Sequence, residues 1–148
     1  MNIRMATEYD FKTIVDLCLE RAKEFDFEDF PDPDKNAILR NIARNFHLAP
    51  CFLLEDNGEV IGFAGLTVTT FFWSDEKHLS DYMIFIKPEH RNWNVANLLY
   101  SAIIEFANLH GLPLHISYIC LDRHDARLRM MKRLGFKHTG HLLSKGVS

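Results

Sequence analysis

Residues 89–99 read EHRNWNVANLL. An alternating apolar run that reads as a strand precedes them, and an apolar-periodic run that reads as a helix follows. A helix that starts in a short polar turn aims its free amides, and the positive end of its dipole, at one point. That is chemistry suited to a phosphate. The amides at stake are those of Asn92, Trp93, Asn94, Val95, Ala96 and Asn97, and Arg91 adds a formal charge. Phosphate-binding turns favour glycine, which allows close backbone approach and positive φ; asparagine is the next most tolerant residue. The alternative is a plain connection, with Arg91 in solvent and Asn94 as a helix cap. A second cationic group, Arg123, Arg127, Arg129, Lys132 and Arg133, falls on one short helix. It suits a phosphate, an acidic partner or a solvated face.

Other chemistry is disfavoured by spacing. Cys18, Cys51 and Cys120 are scattered inside apolar runs with no C-x-x-C pair, which is a poor disulfide framework. The eight histidines contain no H-x-x-x-H pair, so no metal site is expected. A net charge of −3 points to neither nucleic acid nor membrane as a partner. No apolar run approaches the ~20 residues that span a bilayer. MNIRMATEYDF lacks the apolar core of a signal peptide, so a cytoplasmic protein is expected. At 148 residues, 47% hydrophobic and 25% charged, the chain suits a single domain over residues 1–148.

The elements that must hold these groups follow from periodicity. NIRMAT reads as a first strand, and the Thr7 hydroxyl can accept an amide of the next helix, whose apolar face is Phe11, Ile14, Val15, Cys18 and Leu19. DFEDFPDPD is a proline-broken loop, after which Asp34 caps a second helix bearing Ile38, Leu39, Ile42 and Phe46. In CFLLEDNGEVIGFAGLTV, two apolar runs flank Asn57-Gly58, the pair that best tolerates the positive φ angles of a two-residue hairpin. FFWSDEKH then reads as a loop and LSDYMIFIKP as a strand ending at Pro88. The helix after Asn94 carries Val95, Leu98, Leu99, Ala102, Ile103, Phe106 and Ala107 and stops at Gly111 and Pro113. LHISYICL reads as another strand, DARLRMMKRL as a basic helix ended by Gly135, and FKHTGHLLSK as one or two final strands. Consecutive strands followed by a strand–helix–strand unit imply an α/β (α+β) fold: a mixed, mostly antiparallel twisted sheet with a central β-α-β unit and helices on both faces. Phe25, Phe27, Phe30, Phe71, Phe72 and Trp73 fall in loops, where aromatics suit a pocket wall or a subunit interface, the latter implying a homodimer.

By element order, by IKPEHRNWNVANLL and by RLRMMKRLGFKHTGHLLSK, the whole chain resembles the Gcn5-related N-acetyltransferase (GNAT) superfamily. That family's Arg/Gln-x-x-Gly-x-Gly/Ala loop, which binds the pyrophosphate of acetyl-coenzyme A, is matched by Arg91-x-x-Asn94-x-Ala96, with asparagine at the middle glycine. Its later Asn-x-x-Ala-x-x-Leu-Tyr-x-Lys-x-Gly-Phe segment is matched by His124-x-x-Arg127-x-x-Met130-Met131-x-Arg133-x-Gly135-Phe136. Gly-Phe fits, while the usual Asn, Ala and Tyr are absent.

The resemblance implies transfer of an acetyl group from acetyl-coenzyme A to the primary amine of a small molecule or peptide. A backbone donor on the strand before the loop would polarise the thioester, with the amides of Ile84, Phe85 and Ile86 as candidates. A base must take the amine proton, and Asp81 at the start of that strand is the first choice. The leaving thiolate needs a proton; the family's tyrosine is Met131 here, and Tyr118 or His124 could replace it. Asp81 could equally be a turn residue, Tyr118 a strand aromatic and His124 a cap. The rival reading is a module of the same fold, binding or structural, without turnover. The acceptor stays open because its loops vary freely on one scaffold.

Overall fold

The structure, a computed structural model, describes residues 1–25, 30–117, 123–140, 143 and 145. The elements are β1 (Asn2–Met5), α1 (Phe11–Ala22), α2 (Lys35–Phe46), β2 (Cys51–Asp56), β3 (Glu59–Thr70), β4 (Lys77–Ile86), α3 (Trp93–Leu109), β5 (Leu114–His115) and α4 (His124–Arg133). They build a five-stranded sheet in the order β1-β2-β3-β4-β5. The first four strands pair antiparallel, and β4 and β5 pair parallel across the helical crossover of α3. Among the described residues, no helix is long and apolar enough to cross a membrane.

Local chemistry sets the boundaries. Asn57 and Gly58 both hold positive φ, 50° and 81°, and join β2 to β3 in a two-residue turn. The Asp34 carboxylate caps α2 by accepting from the amides of Asn36 and Ala37. Thr7 differs from expectation. It opens a short 3-10 turn before α1, and its amide and hydroxyl both donate to the Asp10 carboxylate, at 2.8 and 3.3 Å. Arg4 also reaches that carboxylate through two nitrogens, which fixes it as an acceptor.

Each sheet face has its own core. On one face α3 lays Leu99, Ile103 and Ala107 against Leu54, Leu66 and Leu79. On the other, Ile14, Cys18 and Ile42 from α1 and α2 cover Leu53, Phe63 and Phe85. Burying each such aliphatic side chain contributes about 1.5–3 kcal/mol, so the helices are held mainly by their apolar stripes.

Three strand expectations change. β4 begins at Lys77 because His78 and Lys77 go on pairing with Thr69 and Thr70. The expected strand from Leu114 to Leu121 is two residues long, with Ile116 and Ser117 outside it and residues 118–122 outside the described set. After Gly135 the described residues form no strand, and the rest of the expected final strands lies outside them.

The ladder between β3 and β4 slips once: Gly65 faces Met83 while Leu66 faces Asp81, so Tyr82 is the extra residue of a bulge. Its ring lies over Gly65, where an added Cβ would stand 2.2 Å from the ring. Gly65→Ala should therefore lower stability by about 1–3 kcal/mol, through overpacking. Denaturant titration of Gly65→Ala, Tyr82→Leu and the double variant tests this. The double variant should lose less than the sum of the two singles.

Candidate functional site

The bulge decides which way β4 points its side chains. Leu79 packs into the α3-side core, and so do Ile84 and Ile86, although Leu79 and Ile84 are an odd number of residues apart. Strict alternation forbids that, and the extra residue at Tyr82 restores it. Asp81 thereby shares the α3 side with Leu79 and Ile84, while Tyr82 turns to the opposite face, over Gly65 and beside Cys51. Burial pushes the Tyr82 hydroxyl well above its ordinary value, and it pushes the Cys18 and Cys51 thiols up to about 12. These groups are structural, and neither thiol is a nucleophile at neutral pH.

Beyond the bulge, one edge of β4 is open among the described residues. The Lys87 amide donates to Ile61 at 2.9 Å, so the pairing parity turns the backbone groups of Phe85 toward β3. Those of Ile84 and Ile86 then face the other edge. The Ile86 carbonyl shows this by accepting from Arg91 Nε at 2.7 Å. Of the three strand amides expected to serve as donors, Ile84 and Ile86 present theirs at the open edge, and Phe85 does not. On that edge β5 pairs only with Leu79 and Ser80, and no described strand continues the ladder. The next amide positioned to continue it, that of Ser117, donates to Asp81 Oδ1 at 2.7 Å instead. A carboxylate thus ends the parallel ladder at the point where the strands part. Burial pushes the Asp81 carboxyl up to about 6, against the lowering effect of the Ser117 amide.

The turn at the end of β4 also departs from its sequence reading. Asn92, not Asn94, is the N-cap of α3; its side chain accepts from the Val95 amide at 3.0 Å, and its carbonyl accepts from Ala96 at 3.0 Å. The amides of Trp93 and Asn94 are left as the outward donors of the first turn, and that of Asn97 lies within the helix ladder. Asn94 is helical and exposed, so the position needs no positive φ and no glycine on that account. Val95 is buried in the core. Arg91 is half-buried rather than solvated. It lies over the Phe85 ring, 5.4 Å from the centroid, and forms an ion pair with Glu24 beyond the end of α1.

These parts meet in one cavity of about 900 Å³, whose wall includes Asp81, Ile84, Phe85, Ile86, Arg91, Asn92, Trp93 and Ala96. Asn94, Val95, Asn97 and His124 are not in its wall, and Tyr118 lies outside the described residues. Met131 is 5% exposed in the α3-side core, and its neighbour Met130 lines the cavity instead. Sequence reasoning missed Tyr100, Ser117 and Arg21. Tyr100 was findable, because it stands one helical turn beyond Ala96 on the same face. Phe25 and Phe30 stack at 5.6 Å and line the wall, as a pocket reading of the loop aromatics requires. Phe71 instead stacks with Trp73 and with His78, away from it, and Phe27 lies outside the described residues. Arg123, Arg127, Arg129 and Arg133 add positive charge from α4, with Arg133 5.8 Å over the Trp93 ring. Arg123 holds φ at 50°, a left-handed conformation costly for an arginine, at the start of that helix. Among the described residues, no three His, Cys, Asp or Glu side chains gather as metal ligands.

Such a cavity can hold a long polyanionic ligand along the open strand edge, with a base of near-neutral pKa beside it. Comparison with known proteins bears on the family and the fold. A family model described as the acetyltransferase (GNAT) family matches residues 14–136. A predicted acetyltransferase from Clostridium acetobutylicum, solved with acetyl-CoA, superposes with a TM-score of 0.78 at 17% identity, covering 98% of this chain and 95% of that one. An aminoglycoside antibiotic 6'-N-acetyltransferase from Acinetobacter haemolyticus gives 0.71 at 20% identity over 100% of both chains. An aminoglycoside acetyltransferase from an uncultured soil sample, solved with sisomicin, gives 0.72 at 12% identity over 99% of this chain and 96% of that one. Comparison with curated proteins gives no match.

The Asp81 carboxyl carries a stability signature with a definite sign. Its folded pKa, about 6, lies above its ordinary value of 3.8, so the folded state holds the proton more tightly. Stability from this group is present below pH 4 and lost as pH rises to 6. Asp81→Asn, a neutral isostere that can keep the Ser117 bond, should match the parent near pH 4 and exceed it by about 1–3 kcal/mol at pH 7. Urea titrations at both pH values check the crossover.

Proposed function

The chain belongs to the acetyltransferase (GNAT) family, and from that premise we propose that it moves the acetyl group of acetyl-coenzyme A onto a primary amine. The observation that carries this reading is the open edge of β4, where two backbone amides, a cationic wall and Asp81 share one cavity. The diphosphate lies at the start of α3, with the amides of Trp93 and Asn94 as donors and Arg91 and the α4 arginines supplying charge. The arm carrying the thioester follows the unpaired edge of β4. There the Ile84 or Ile86 amide donates to the thioester oxygen as it gains negative charge. Asp81 Oδ1 is occupied by the Ser117 amide, which orients the carboxylate and leaves Oδ2 for a proton. With a pKa of about 6, this group is ionised at neutral pH yet basic enough to accept from an amine. The amine attacks the carbonyl carbon and gives its proton to Asp81, the carbon–sulfur bond breaks, and the electron pair leaves on sulfur, which takes a proton from water.

The acceptor is a primary amine that enters from the side of Phe25 and Phe30. Calorimetric titration with coenzyme A, then thiol release measured over an amine panel, tests the proposal. Binding with turnover supports it; absence of binding overturns it, and binding without turnover leaves a ligand-holding module. Asp81→Asn should lower kcat by about 10²–10⁴ with coenzyme A affinity unchanged. In the parent, kcat/KM should rise with pH through an apparent pKa near 6, and the variant should lose that limb. A variant that keeps both rate and limb would remove Asp81 from the mechanism.

A further inference from the structure

Glu24, just beyond α1, touches both halves of the cavity without being part of the proposed chemistry. One carboxylate oxygen, Oε2, pairs with Arg21 Nη1 at 2.5 Å, and the other, Oε1, pairs with Arg91 Nη2. Arg21 and Arg91 both line the cavity. Arg21 lies 4.3 Å over the Phe25 ring, which stacks on Phe30. Arg91 is anchored to the end of β4 through Nε and lies over Phe85. One carboxylate therefore joins the aromatic wall beyond α1 to the turn that starts α3, residues 67 positions apart in sequence.

We infer that Glu24 is a specificity-determining residue: it occupies Arg91 as an internal anion, which a phosphate-bearing ligand must displace. The inference rests on the coenzyme A reading given above. A guanidinium fork binds a carboxylate and a phosphate through the same geometry, so the two compete for the same nitrogens. A diphosphate at the first turn of α3 also repels the carboxylate. Both effects drive Glu24 off Arg91 and leave it on Arg21, next to Phe25. Occupation of the phosphate end then alters the aromatic end, where the acceptor enters. Ligands without phosphate gain nothing from the exchange, and the resting ion pair keeps the cavity selective against weaker anions.

The sign of one substitution decides the matter. Glu24→Gln removes the competing charge and keeps the shape, and Glu24→Ala repeats the test without the amide's own hydrogen bonds. Calorimetric titration with coenzyme A should show both variants binding about 3- to 30-fold more tightly than the parent, while pantetheine, which lacks phosphate, binds all three alike. Hydrogen exchange at residues 21–25 should change on adding coenzyme A to the parent and not to Glu24→Gln. Weaker or unchanged coenzyme A binding in both variants would overturn the inference and make Glu24 a mere support for Arg91. A parent that binds no coenzyme A would overturn the coenzyme A reading itself, so the two failures are distinguishable. Thermal melts of the variants check folding, and the Ala variant's sign holds if the Gln variant is destabilised.

Discussion

The rest of this molecule depends on the parting of β4 from β5. A strand within a sheet satisfies its backbone groups on both edges, and an interior strand left half-paired loses that satisfaction unless something replaces it. Here, among the described residues, the ladder stops after two residue pairs, and a carboxylate side chain takes the next amide. The bulge at Tyr82 makes this possible by bringing Asp81 to the same face as the core residues on either side of it. Remove the bulge, and either Asp81 or the Ile84–Ile86 pair would face the wrong side. The helix start, the cationic helix and the aromatic wall are arranged around the gap so created.

The charge distribution follows from that geometry. The arginines of α4 and Trp93 at the first turn of α3 line one space, and its wall holds a single carboxylate, Asp81, among the described residues. A cavity with such a wall concentrates field on an anion and raises the cost of leaving itself empty of one. One feature follows: Arg91 already has a carboxylate partner in place of a ligand. The one acid in the wall has a separate cause, because burial alone pushes it toward its neutral form.

What the sequence revealed was local. Asn57-Gly58 specified its turn, Asp34 its cap and the stripe on α3 its buried face, because each needs only neighbours a few residues away. The position of the site was also legible, since a strand, a polar turn and a helix start follow one another in sequence. Its details were not. Met83 and Phe85 are as apolar as Ile84 and Ile86, so alternation along LSDYMIFI could not disclose the bulge that changes its phase. The cap fell on Asn92 because either asparagine could make it, and only the path of the backbone chooses. The strand from Leu114 was read too long because its composition suits a strand, whereas its pairing depends on where β4 goes. The partner of Arg91 lies 67 residues away and leaves no local mark.

An unpaired strand edge is also a hazard, because its row of donors and acceptors is a template on which a second polypeptide can add a strand. In this molecule the template is cut short at both ends. The bulge distorts it on one side, and Pro88 and the 3-10 turn that it begins close it on the other, leaving two residues' worth of outward-facing groups. It also lies at the bottom of a recess walled by α3 and α4 rather than on an open flank. A second strand would have to pass between those walls before it could pair with that edge. The walls that make the recess fit for a slender ligand therefore guard the protein against sticking to itself, edge to edge, while that ligand is away.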